Sequence, residues 1–124
     1  MPKQKQHSYR LRFYLNASHA MRWDNNLGEA HPHTWELICE VKKLDDQAFI
    51  RFNEIEDAIQ RVIEPLQGRF LNEIPTFDKE NPSLENLGDV FFDQIDGQLA
   101  RVKCSLTQLE VGESPTRFFL VREK

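Results

Sequence analysis

A chain of 124 residues is long enough for one hydrophobic core and short for two, so a single domain over 1–124 is expected. Its 16 Lys and Arg against 20 Asp and Glu leave a formal charge of -4, which gives a nucleic-acid partner no electrostatic support. No apolar run approaches the roughly 20 residues that span a bilayer, and MPKQKQHSYR lacks a signal peptide's apolar stretch, so a cytoplasmic protein without a membrane partner is expected.

From His7 to Ala17 apolar and polar residues alternate, with Tyr9, Leu11, Phe13 and Leu15 on one face and Arg10, Arg12 and Tyr14 on the other. This is strand periodicity. A second strand is expected from about His33 to Lys43, with Trp35, Leu37, Cys39 and Val41 sharing a face. After a break at DDQAF, Ile55, Ala58, Ile59, Val62, Ile63 and Leu66 recur at helical spacing, and Pro65 is placed to end or kink that helix near its last turn. The stretch QGRFLNEIPTFDKENP is rich in turn formers. A second helix is expected to open at Ser83, whose hydroxyl can cap its first turn, and to bury Leu84, Leu87, Val90, Phe91, Ile95 and Leu99. RVKCSLTQLEVGE and TRFFLVRE then read as two strands of a hairpin turning at GESPT.

The order β-β-α-α-β-β predicts an α+β fold, an antiparallel sheet with one face covered by two helices. Such a sheet leaves two edges bare, a reason for a small protein to oligomerise. Cys39 and Cys104 both fall inside expected strands, without CxxC spacing, and read as small core residues.

Three of the four histidines lie within NASHAMRWDNNLGEAHPHTWEL. His31 and His33 point to the same side of their strand, with Cα atoms about 6 to 7 Å apart. If the first two strands pair as an antiparallel hairpin, His19 lies across from them. Three neutral imidazoles on one ion leave a fourth tetrahedral position open, as in catalytic zinc sites. An H-x-H pair alone also fits exposed histidines at a strand end. His7 has no partner in the sequence and reads as a surface residue.

The motifs F-x-x-N-A-S-H and H-P-H-T-W-E-L, with NPSLENLGDVFF and LEVGESPTRFFLV after them, resemble the 6-pyruvoyltetrahydropterin synthase and 6-carboxytetrahydropterin synthase family. The resemblance runs through most of the chain. It implies the tunnelling fold, in which subunits close into a barrel as a homo-hexamer built from two trimers. It also implies one zinc per subunit on His19, His31 and His33, and a pterin-like ligand whose guanidine-like edge is anchored by Glu113. Ser83 and Glu85 match the loop that lines the pocket. Without the resemblance, Glu113 reads as a solvated turn residue, and Glu85 equally as a carboxylate at the positive end of a helix dipole.

Two departures bear on chemistry. The family's cysteine base falls at Leu27, and its Asp-His pair falls at Gln67 and Gly68. A Pro also replaces the Gly of the usual H-G-H. General acid–base groups contribute about 10²–10⁴-fold to rate, so a substitute is needed for turnover. Glu29, two residues before His31, is the candidate, with Asp24 or water acidified by the metal as others. The residues therefore fit a zinc-dependent lyase acting on a pterin side chain. They also fit a metal- and pterin- or purine-binding homologue without that activity. Arg22 is the one basic residue near the site that a phosphorylated substrate would find.

Overall fold

In the computed structural model, which describes residues 1–124, the alternating N-terminal stretch is strand β1, Tyr9–His19. Phe13, Leu15, Ala17 and His19 are buried on one face, while Arg10, Arg12, Tyr14 and Asn16 are exposed on the other. The connection that follows is not plain loop. It holds a small hairpin of β2 (Arg22–Trp23) and β3 (Asn26–Leu27), turned by Asp24 and Asn25 at φ 47° and 65°. Asp and Asn tolerate the left-handed region that a two-residue hairpin turn demands of both central positions. Strand β4, His31–Lys43, starts two residues earlier than the alternation indicated, because it pairs with β1 to the very end of that strand.

Helix α1, Phe52–Ile63, carries Ile55, Ala58, Ile59 and Ile63 on its buried side. It gives way to a 3₁₀ turn at Glu64–Leu66, where Pro65 has no N–H to continue the α ladder. Helix α2, Leu84–Ala100, begins at Ser83, whose Oγ accepts the Asn86 N–H at 3.2 Å. It runs past Gly97 and unwinds through Arg101–Lys103, whose N–H groups reach back to the carbonyls of Gln98, Leu99 and Ala100. Strand β5 therefore starts at Cys104, three residues after the RVKCSL run begins, and continues to Ser114; β6 is Arg117–Arg122.

The sheet order is β1-β4-β5-β6, antiparallel throughout. The buried face of α1 and the Leu87, Phe91, Ile95 and Leu99 stripe of α2 close over Leu15, Trp35, Leu37, Leu109 and Val111 of the sheet. Each such side chain contributes about 1.5–3 kcal/mol on leaving water. Gly88 lets α2 lie close on β6: a Cβ there would stand 2.7 Å from Phe119 Cδ2. Cys39 and Cys104 are buried free thiols, and His7 is exposed. No helix is long and apolar enough to cross a membrane.

Candidate metal centre

In an antiparallel pair, residues directly opposite share a face, and so do residues two apart. The β1–β4 register sets His19 opposite His31 and Ala17 opposite His33. All three histidines thus stand on the core side of the sheet, in line with Leu15 and Trp35, at the end where the apolar row stops. Their ring centroids are 4.6 Å (His19–His31), 4.9 Å (His19–His33) and 4.8 Å (His31–His33) apart. One ring nitrogen from each lies within 4.8 Å of the others. The fully buried Trp35 indole sits 5.0 Å from His19 and 5.1 Å from His33, closing the inner side with apolar surface. Exposure rises from buried His19 through half-buried His33 to exposed His31, so the cluster opens to solvent on one side.

His19 is prepared as a ligand. Its Nδ1–H donates to the carbonyl of Pro82 at 2.8 Å, and since a carbonyl only accepts, the proton sits on Nδ1. Nε2 is left with its lone pair, buried and without a hydrogen-bond partner. An unsatisfied buried polar atom costs about 1–3 kcal/mol, and a cation on Nε2 removes that cost. Burial pushes the His19 pKa below its ordinary value; the Pro82 carbonyl opposes this, His31 and His33 reinforce it, and Glu113 counteracts it. The ring is therefore neutral at neutral pH, as metal ligation requires. Three imidazole nitrogens suit zinc and its neighbours among the transition metals rather than calcium or magnesium, which prefer oxygen. The residues present fit a zinc ion, with one tetrahedral position left over.

The model of the family described as 6-pyruvoyl tetrahydropterin synthase matches residues 8–124. The chain belongs to this family. Among solved structures it is similar to 6-pyruvoyl tetrahydropterin synthase from Caenorhabditis elegans, at 14% identity and TM-score 0.80, with 100% of both chains covered. The Plasmodium vivax synthase superposes at 14% identity and TM-score 0.66, covering 95% of this chain and 99% of the other. An uncharacterized protein from Wolinella succinogenes gives 13% identity and TM-score 0.70, with 95% and 98% covered. No curated protein is similar enough in sequence to match. The sheet with its helix pair is thus the tunnelling fold of the family.

Within that fold the remaining site residues fall unevenly. Glu113 sits at a bulge of β5, where the pairing with β6 steps from Gly112–Phe118 to Ser114–Arg117; it is half-buried, and its charge acts on His19. Ser83 is half-buried as the cap of α2, whereas Glu85, in the same first turn, is exposed. Glu29 is exposed between β3 and β4, and Asp24 is exposed in the hairpin turn. Leu27, at the family's cysteine position, is exposed on β3 opposite Arg22. A cleft of about 490 Å³ lies apart from these residues: besides His33 it is lined mainly by Asn16, Ser18, Pro32 and Thr34, which alternate to the face of the sheet away from the histidines, and none of His19, His31, Ser83, Glu85 or Glu113 borders it.

One expectation changes. Arg22 is not free for a phosphate: its guanidinium donates to the carbonyls of Phe77 (2.8 Å), Glu80 (3.1 Å) and Asn72 (3.2 Å). Gln67, at the family's Asp position, is also spent. Its Nε2 donates to the Tyr14 carbonyl and its Oε1 accepts the Asn16 N–H, each at 2.8 Å, while the Gly68 N–H reaches the Asn16 carbonyl at 2.7 Å. The acid–base pair of the family is therefore replaced by a strip that closes the edge of β1.

Pro82 and Asn72 are site residues that the sequence pattern does not single out. The Asn72 side chain is buried and clamps Ala20, the residue after His19, by accepting its N–H at 2.9 Å and donating to its carbonyl at 2.7 Å. A backbone carbonyl leaves no side-chain signature, and an asparagine in a turn-rich stretch reads first as a turn former. The Asn-Pro just before a helix cap was the one signal available.

Proposed function

We propose that this protein is a zinc-dependent member of its family that binds a pterin-type ring and acts on the ring's side chain as a carbon–oxygen lyase. The observation that carries the reading is the convergence of three imidazoles around the buried, partnerless Nε2 of His19. His19, His31 and His33 would hold the ion, which when bound supplies Lewis acidity to an oxygen of the ligand's side chain. The Glu113 carboxylate would accept two parallel N–H donors from the guanidine-like edge of the ring, a charge-assisted bidentate contact that fixes orientation. Ser83 and Glu85 would border the ring at the start of α2.

Glu29 would take the proton from the ligand's side chain on a carboxylate oxygen. In support, one Plasmodium vivax synthase structure is of a variant in which a catalytic glutamate is replaced by alanine. Assembly as a homo-hexamer, a dimer of trimers, would cover β6 and the part of β1 that Gln67 leaves bare.

One observation favours a second reading, a metal- and pterin- or purine-binding homologue without turnover. The residues at the family's Asp-His positions bond to β1 instead of facing a ligand.

Elemental analysis of the purified protein, followed by incubation with dihydroneopterin triphosphate while pterin fluorescence is recorded, separates the two. The lyase reading expects about one zinc per chain and turnover that is lost in Glu29→Gln. Bound zinc and ring binding that Glu113→Gln abolishes, with no turnover, would establish the second reading. Zinc content unchanged in His31→Ala would overturn both.

A further inference from the structure

The Nε2 of His19 is available to an ion only while its Nδ1–H stays on the carbonyl of Pro82, so whatever holds that carbonyl holds the ligand. The proline ring sets φ at residue 82 and removes a competing N–H, but the direction of its carbonyl depends on the peptides on either side. Residue 81 is tied down twice. The Asn81 side chain takes both backbone groups of Arg22: Oδ1 accepts the N–H at 2.8 Å, and Nδ2 donates to the carbonyl at 3.1 Å. The Asn81 backbone carbonyl in turn accepts from Asn86 Nδ2 at 2.8 Å. Asn86 is itself fixed in the first turn of α2, its N–H on Ser83 Oγ. The carbonyl that accepts the His19 Nδ1–H is thus suspended between the segment that leaves His19 and the helix that covers the sheet. Only a carboxamide serves at Asn81, because it alone offers a donor and an acceptor with the spacing of a peptide; Asp offers acceptors only and Leu neither.

We propose that Asn81 and Asn86 are positioning residues of the metal centre, acting through the Pro82 carbonyl to keep the His19 proton on Nδ1 and Nε2 open to the ion. The proposal rests on the reading that the three histidines hold zinc, and adds two residues that touch no ligand. Outer partners of metal-bound histidines change metal affinity by about 10–100-fold when removed.

Asn86→Leu keeps the size and the backbone N–H and deletes the Nδ2 donor. Two readouts apply: zinc affinity by competition with a chromophoric chelator, and the protonation of each His19 ring nitrogen from nitrogen-15 shifts in zinc-free protein. The expected result is an affinity about 10–100-fold weaker and an Nε2 resonance displaced toward the protonated position. Asn81→Leu is expected to do the same. Glu54→Ala, which deletes the acceptor of the Arg51 N–H at the start of α1 (3.0 Å), controls for a general loss of stability and is expected to leave both readouts at wild-type values. Unchanged zinc affinity in Asn86→Leu, an unmoved Nε2 resonance, or equal losses in Glu54→Ala would overturn the proposal. If the wild-type protein takes up no zinc, the metal reading fails, and the zinc-free spectrum still decides whether Asn86 governs the tautomer.

Discussion

Removing one histidine at a time separates a metal ligand from a packed core residue. His31 is exposed and its ring fills no core space, so in chelator His31→Ala should unfold within about 0.5 kcal/mol of wild type. His19 is 5% exposed and holds the Pro82 carbonyl. His19→Ala strands that acceptor and opens a void, for a loss of about 2–3 kcal/mol in the same chelator, partly offset because the partnerless Nε2 disappears as well. Zinc separates His31→Ala from wild type. An ion that binds only the folded state at a concentration 100 times its Kd adds about 2.7 kcal/mol to wild type. For a chain of this length that is a rise in Tm of about 10 °C. His31→Ala, with one nitrogen fewer, should lose most of this gain although its chelator baseline is unchanged. Urea unfolding followed by tryptophan fluorescence, with chelator and with zinc, measures all four quantities. Equal zinc stabilisation of wild type and His31→Ala would refute the reasoning, as would a chelator baseline for His31→Ala as low as that of His19→Ala.

Three further outcomes follow from the packing. Burial pushes the Cys39 thiol from 9.0 up to about 12, so folding favours the protonated form. That stabilisation is complete below pH 9 and is lost as pH rises through 12, at about 1.4 kcal/mol per pH unit between them. Cys39→Ala should flatten the alkaline stability slope by one proton, and identical slopes would show the thiol to be accessible. Gly88→Ala sets a methyl 2.7 Å from Phe119 Cδ2 and 3.3 Å from Val121 Cγ2. The resulting overpacking, about 1–3 kcal/mol, should outweigh the helix-propensity gain of about 1 kcal/mol, so a raised urea midpoint would contradict the close approach of α2 to β6. Arg22→Ala strips donors from the carbonyls of Asn72, Phe77 and Glu80, and should cost about 2 kcal/mol and speed amide hydrogen exchange across residues 72–80. Exchange at the wild-type rate would mean that Arg22 does not brace that segment in solution.

Much of the fold was legible because its signals are local. The alternation of β1 and β4, the helical spacing of Ile55 to Ile63, the Ser83 cap and the stop at Pro65 each reflect geometry within a few residues. The boundaries that shifted are those set by a distant partner. Strand β4 begins at His31 because β1 continues to His19, and β5 waits until Cys104 because α2 unwinds in a last turn. The hairpin at Arg22–Leu27 lacked the Asn-Gly or Asp-Gly pair that marks such a turn, since Asp24-Asn25 performs it.

By itself the sequence determined which chemistry is present: three imidazoles at strand spacing, a carboxylate near the last turn, and no Cys or Asp-His in the places where the family keeps them. Spacing along a strand dictates the face a side chain takes, so His31 and His33 were bound to look the same way. Only the tertiary structure decided that His19 joins them, because that depends on a register between segments. The same holds for the tautomer of His19, set by the carbonyl of a residue 63 positions away, and for the diversion of Gln67 and Arg22 to backbone partners. Hydrogen bonds to a remote main chain leave no pattern in a sequence, since every residue carries the same carbonyl.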